Sequence, residues 1–284
     1  MIRQGKDTDK ETLMQMWKYC FPQDTIRFIH FYFDKVYANN ETLVYVENNQ
    51  AIASMQIIPF QIKTGDSFVW GGYISGAMTH PDHRKKGYMA HLLTASFDYM
   101  RERNYAYTFL IPQEEYLIDY YGKFGYERAF PIYNTHYHCR MKPILSENVS
   151  IYTDFSAVNH PFLYSVYSHY LMKKNNAVLR SETQFLNILW DFFDGNGVLF
   201  VNDENIAFTF KNENTIILTD FFYKNEETKI ELLQTISAYY SEKEMIFRND
   251  PSGSGSMSGY KGMIKSLNDS AAVKNDIYMG RMFE

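Results

Sequence analysis

The hydrophobic period of the chain switches at a single turn, and that switch narrows the folds open to it. Between Thr42 and Met78 apolar residues come in short strand-like runs, with turn residues at Asn48-Asn49 and Gly65-Asp66. This pattern predicts an antiparallel meander over residues 42–79. From Gly87 to Arg103 the apolar positions are Met89, Leu92, Leu93, Phe97 and Met100, one stripe of a helix. Tyr105 to Ile111 then reads as a buried strand closed by Pro112, and Glu114 to Tyr121 as a second helix ended by the glycines 122 and 125. A meander that feeds helix, strand and helix belongs to the α/β (α+β) class.

The turn at the switch is Gly76-Ala-Met-Thr-His-Pro-Asp-His-Arg84-Lys85-Lys86-Gly87-Tyr88-Met89-Ala90. A helix leaves the N–H groups of its first turn without internal partners, and its dipole favours negative charge there. Gly87 allows close approach of the backbone to a ligand. Arg84, Lys85 and Lys86 add positive charge in a chain with 28 Lys+Arg against 33 Asp+Glu, net charge −5. A phosphate or diphosphate seat over Lys85–Ala90 is the chemical reading, and an ordinary exposed basic turn the bland one. The negative net charge gives no global field for nucleic acid. No apolar run approaches the ~18 residues of a membrane span. No signal peptide is visible, and the two cysteines, Cys20 and Cys139, make no disulfide framework. The expected location is cytoplasmic, with neither nucleic acid nor membrane as partner.

At 284 residues the chain has room for about two domains. Ile2–Gln4 reads as a strand. A helix follows Thr8, carrying Leu13, Met16, Trp17 and Cys20, and a second amphipathic helix runs from Thr25 to Tyr37. Tyr126–His138 reads as one or two strands broken at Pro131. The polar stretch from Met141 to Ser150 marks a boundary, giving domains 1–142 and 143–284. The second half has helix patterns at Phe162–Lys173, Ser181–Phe193 and Glu226–Tyr240. Its strand patterns lie at Gly197–Asn202, Ile206–Lys211, Thr215–Phe222 and Glu244–Arg248, and Pro251–Gly259 reads as a flexible loop. The similar alternation of the two halves points to a duplicated architecture.

A second segment, Glu114-Glu-Tyr-Leu-Ile-Asp-Tyr-Tyr121-Gly-Lys-Phe-Gly125-Tyr126, follows at the spacing of one compact domain. The order strand, Arg-x-x-Gly, helix, strand, helix, Tyr-x-x-x-Gly-aromatic resembles the GNAT superfamily of acyl-CoA-dependent N-acyltransferases, over about residues 1–140. Met89 departs from the small residue the family carries there. A large residue at that position is similar to the Eis-like branch, in which a degenerate GNAT-like domain follows the first. Tyr260-Lys-Gly-Met-Ile-Lys265 resembles a segment of that second domain, and no span for a sterol-carrier-like third domain is evident.

The resemblance implies a GNAT fold, a mixed and mostly antiparallel sheet flanked by helices. Acetyl-CoA would be the cosubstrate and a small-molecule or peptide amine the acceptor. It implies that Arg84, Lys85, Lys86, Gly87, Tyr88, Met89 and Ala90 hold the pyrophosphate, with the Met89 side chain turned away. The main chain of Ala77, Met78 and Thr79 would line the pantetheine arm. Tyr121 would be the general acid, and Tyr120 is the neighbour a register error would exchange with it. Glu114, Glu115, His80 and the Glu284 terminus are open candidates for the base. The second half has no Arg-x-x-Gly turn, so it is expected to shape the acceptor site or to pack a homo-oligomer interface. Two alternatives stay open, a non-catalytic CoA-binding or regulatory module and an interaction protein using its aromatic surface. The aromatic run Phe28–Phe33 with Tyr37 reads as core, or as an apolar wall of the acceptor cleft. His80-Pro-Asp-His83 and His136-Tyr-His138-Cys139 lack a second ligand cluster at zinc-like spacing, so no metal is expected.

Overall fold

The computed structural model describes residues 1–248, 255–268 and 276–283. The chain packs as two compact units, Met1–Ala129 with Gly262–Asn275, and Phe130–Lys261 with Asp276–Glu284. A cut between residues 142 and 143 follows neither unit, because a late segment returns to the first unit and pairs in its sheet.

In the first unit β1 (Ile2–Gln4) leads into α1 (Lys10–Cys20) and α2 (Ile26–Phe31). β2 (Thr42–Glu47), β3 (Gln50–Thr64) and β4 (Ser67–Thr79) form the meander. α3 (Tyr88–Arg101) crosses over to β5 (Tyr105–Leu110), which runs parallel to β4, and α4 (Tyr116–Gly122) follows. The sheet order is β1-β2-β3-β4-β5, with residues 263–266 antiparallel to β5. Leu13, Met16 and Trp17 of α1 are buried with Ile29, Tyr32 and Phe33, against Val44 and Met78. Leu92, Leu93, Phe97 and Met100 of α3 pack with Met55, Ile57 and Ile74.

Two expectations for this unit are corrected. The helix expected over Thr25–Tyr37 stops at Phe31 and widens into a π-helical turn over Tyr32–Val36. The wide turn buries Tyr32 and Phe33 together and aims the Tyr32 hydroxyl at Gln56 Oε1 (2.9 Å) and Ser75 Oγ (2.8 Å). Pro131 does not break its strand, which runs as β6 from Glu127 to His138. The backbone turns left-handed one residue earlier, at Phe130 (φ 62°), and the residues paired with Glu244–Arg248, Asn134–His138, lie beyond it.

Entry to α1 is fixed by charge. Arg3 donates to both oxygens of Asp9 (2.6 and 2.8 Å), and the Lys6 amide donates to Asp9 Oδ2 (2.8 Å). The Arg3 hydrogen bonds hold the Asp9 carboxyl below its ordinary 3.8. A lowered folded value means that the stabilisation is full above the unfolded pKa and is lost as pH falls through the folded one. Asp9→Asn should therefore cost about 1–2 kcal/mol in urea unfolding at neutral pH, and the gap to the wild type should narrow below pH 3.8.

The second unit repeats the plan. After β6 come β7 (Ser150–Tyr152), α5 (His160–Lys173), β8 (Asn176–Leu179), α6 (Glu182–Asp194), β9 (Val198–Asn202), β10 (Asn205–Asn212) and β11 (Thr215–Phe222). α7 (Glu226–Tyr240) and β12 (Glu244–Arg248) complete it, and β13 (Ser256–Ser266) starts in it and ends in the first unit, whose sheet its residues 263–266 join. The order β7-β9-β10-β11-β12 mirrors β1-β2-β3-β4-β5, and β11 and β12 are parallel across the crossover α7. Sequence periodicity finds the long helices and strands here but misses β7 and β8, which are too short to show a period. β13 begins inside the stretch expected to be a loop. Residues 251–254 of that stretch lie outside the described residues.

A buried polar knot holds the segment 276–283 in this unit. Arg180, 5% exposed, donates to the carbonyls of Val178 (2.9 Å), Arg281 (2.6 Å) and Met279. Tyr278 donates its hydroxyl to the buried Asp220, and Arg281 pairs with Asp191 at 3.1 Å.

Candidate acyl-donor site

The ladder between β4 and β5 ends at Tyr73↔Phe109, while β4 continues against β3 as far as Thr79↔Ala53. Beyond Tyr73 the β5-facing edge of β4 has no strand partner among the described residues. A main chain without a strand neighbour has groups available to an extended ligand. A bulge shapes this stretch. Ser54 pairs with Met78 but Gln56 with Ser75, so Gly76 and Ala77 together oppose Met55. Gly76 has φ +55°, and a Cβ there would lie 2.5 Å from the Trp17 ring. The bulge thus requires glycine twice over, for its backbone and for the indole packed on it.

Met78 is buried, and Ala77 is half-buried against the α3 side of the core. The Thr79 carbonyl is already engaged. It accepts from Arg84 Nε (3.2 Å) and from the Cys20 thiol (3.4 Å), and the Arg84 guanidinium also lies 3.5 Å from the Cys20 sulfur. Arg84 is therefore turned back onto the strand end. Lys85 and Lys86 are exposed, with no side-chain partner among the described residues.

The turn opens α3 where the residues predict it. Gly87 is the N-cap in the left-handed region (φ 84°, ψ 0°), with no side-chain cap, and Lys85 also has positive φ (63°). The first amide to find a helical partner is that of His91, which donates to the Gly87 carbonyl (3.1 Å). Between Lys85 and Ala90 no main-chain N–H has a protein partner among the described residues. No atom lies within 4 Å of where a Gly87 Cβ would be. The result is an uncapped, exposed helix start with unused donors, a chemistry that favours an anion. Met89 packs its side chain against the core cluster of α3, leaving only its backbone at the turn.

Tyr121 lies in the same cluster as Leu92, Leu93 and Phe97. It is buried, and its hydroxyl has no hydrogen-bond partner among the described residues. Burial, with Tyr120 and Tyr116 adding to it, pushes its phenol far above the ordinary value of 10. Tyr120 stands T-shaped to it, ring centroids 5.3 Å apart, and is half-buried. The base candidates Glu114 and Glu115 are exposed. His80 accepts the Asp82 amide at Nδ1 (3.3 Å) and stands edge-on to the exposed Tyr19. Glu284 lies outside the described residues. Among the described residues no group of His, Cys, Asp and Glu is arranged to hold a metal ion. His136 and His138 share an exposed face while Cys139 is buried.

Sequence reasoning missed Glu47. At the end of β2 it accepts the Tyr88 hydroxyl at Oε1 (3.0 Å) and lies 3.3 Å from His83 Nδ1 through Oε2. Nothing in the local pattern marks it, since it lies 41 residues before the Tyr88 it touches.

Comparison with known proteins bears on the same region. Residues 1–129 match the family described as acetyltransferase (GNAT) domain. None of the curated proteins matches significantly. The fold is similar to that of a probable N-acyltransferase from Enterococcus faecalis V583, at 14% identity and TM-score 0.72 over 94% of this chain and 72% of that one. It is also similar to Eis1 from Mycobacterium abscessus (14% identity, TM-score 0.70, 94% and 74% covered). A GCN5-related N-acetyltransferase from Anabaena variabilis gives 13% identity and TM-score 0.69 over 94% and 73%.

Proposed function

We propose that the chain, whose residues 1–129 match the family described as acetyltransferase (GNAT) domain, transfers an acetyl group from acetyl-CoA to a primary amine of a small molecule or peptide. The observation that carries this is the run of unpartnered amides from Lys85 to Ala90 beside the open edge of β4. The amides take the diphosphate, with Lys85 and Lys86 supplying charge. The arm lies along Ala77–Thr79, where strand-like hydrogen bonding to the backbone orients the thioester. Arg84 acts from behind, holding the strand end against the turn.

Transfer occurs in a ternary complex. The neutral amine nitrogen attacks the thioester carbonyl, the carbon–sulfur bond breaks, and the departing thiolate takes the proton of the Tyr121 hydroxyl. The proton lost by the amine passes into water, and water returns a proton to the Tyr121 oxygen. The second half has no Arg-x-x-Gly turn and takes no acyl donor. No helix among the described residues is long and apolar enough to cross a membrane, and we place the reaction in the cytoplasm.

The test is calorimetric titration with CoA, followed by acetyl-CoA-dependent thiol release across simple amines, aminoglycosides and peptide N-termini. Micromolar CoA binding with turnover on at least one amine is the expected result. Binding without turnover on any amine would make the chain a CoA-binding module, and absence of binding would leave an interaction protein. Gly87→Ala should weaken CoA about tenfold by calorimetry, because an L-residue at φ 84° costs roughly 1–2 kcal/mol and its methyl enters the open cradle.

A further inference from the structure

The donor loop Arg84–Gly87 is held from outside by one carboxylate. Glu47 Oε1 accepts the hydroxyl of Tyr88, the first residue of α3 and so the first after the loop. Glu47 Oε2 lies 3.3 Å from Nδ1 of His83, the last residue before the loop. That nitrogen is buried and makes no hydrogen bond among the described residues, so the carboxylate lies within ion-pair distance without being aligned as an acceptor. The rings flanking these contacts limit their freedom. Tyr88 packs on Tyr45 (centroids 4.6 Å), two residues before Glu47 on the same strand, and His83 packs against Tyr88 (6.2 Å) and His80 (5.8 Å). Glu47 itself points no oxygen at a main-chain amide of the loop; its partners are the two side chains that bracket it.

A loop whose amides must converge on one anion gains affinity when its ends are fixed before the ligand arrives. We propose that Glu47 is a positioning residue for diphosphate recognition, bracketing the donor loop through His83 and Tyr88 so that the amides of Lys85–Ala90 are pre-set. The assignment rests on the acyl-donor reading above and deepens it. It confines the effect of Glu47 to the diphosphate end of the cosubstrate, since neither bracketed residue lies on the open edge of β4.

The experiment compares Glu47→Ala, Glu47→Gln and Tyr88→Phe with the wild type, measuring Kd for CoA by calorimetry and Kd for pantetheine, which lacks the diphosphate, by NMR titration. Glu47→Ala should raise Kd for CoA about tenfold, the loss expected for a hydrogen bond to a charged group. Kd for pantetheine should stay within about twofold, and so should kcat at saturating acetyl-CoA. Tyr88→Phe removes one bracket and should give a smaller change in the same direction. Glu47→Gln keeps an acceptor for Tyr88 and should recover part of the affinity. An unchanged Kd for CoA in Glu47→Ala overturns the proposal. So does equal weakening of CoA and pantetheine, which marks a general structural role. Failure of the wild type to bind CoA removes the donor site itself, a result these variants cannot produce.

Discussion

Tyr121→Phe should lower kcat about a hundredfold or more, the usual contribution of a positioned general acid, while Kd for CoA stays within about twofold. The substitution removes one oxygen that has no hydrogen-bond partner among the described residues and keeps a ring packed in the core. Stability should therefore change little. Burial holds the phenol well above 10. A raised value keeps the proton on the oxygen throughout the neutral and alkaline range, so this group sets no fall in rate up to pH 10. The pH profile should instead rise as the acceptor amine loses its proton. Tyr120→Phe is the paired control and should cost far less. Equal activity of Tyr121→Phe and wild type in steady-state assays would remove Tyr121 from the chemistry.

Arg180→Met should destabilise the protein by about 3–5 kcal/mol, as breaking a buried charged network does. It strips donors from the carbonyls of Val178, Met279 and Arg281 and removes one of the cations near the buried Asp220. Asp220→Asn should behave differently. Burial pushes the Asp220 carboxyl above its ordinary 3.8. A raised folded value gives stability that is full at low pH and is lost as pH climbs through that value. The amide keeps an acceptor for Tyr278 and has no charge to bury, so the variant should gain on the wild type as pH rises. Thermal melts of both variants between pH 4 and pH 8 check this. A flat difference across that range would mean that Asp220 is not the group responsible.

The geometry of the turn before α3 is readable because it is local. Gly87 and the basic residues before it announce an uncapped helix start, and the stripe from Met89 to Met100 announces the helix. The bulge at Gly76 was also visible in principle, as a glycine alone inside a strand pattern. Its necessity lies in Trp17, a residue from a distant helix that no window contains. Arg84 shows the limit from the other side. Its charge suggests an anion ligand, yet its side chain is taken by the nearby Thr79 carbonyl and by Cys20, a partner brought in by tertiary packing. Glu47 was unreadable for the same reason. The π-helical turn at Tyr32 hides because helical spacing continues through it, and only the buried acceptors Gln56 and Ser75 reveal why the turn widens.

The pairing of residues 263–266 with β5 has a consequence for how the protein is made. The first 129 residues emerge from the ribosome with the flank of β5 bare, and its partner arrives only after more than 130 further residues have been synthesised. A nascent strand flank left open that long invites wrong pairing. Cells making this protein would depend on chaperone cover until residues 263–266 have been made, and expression of residues 1–129 by themselves should give aggregates.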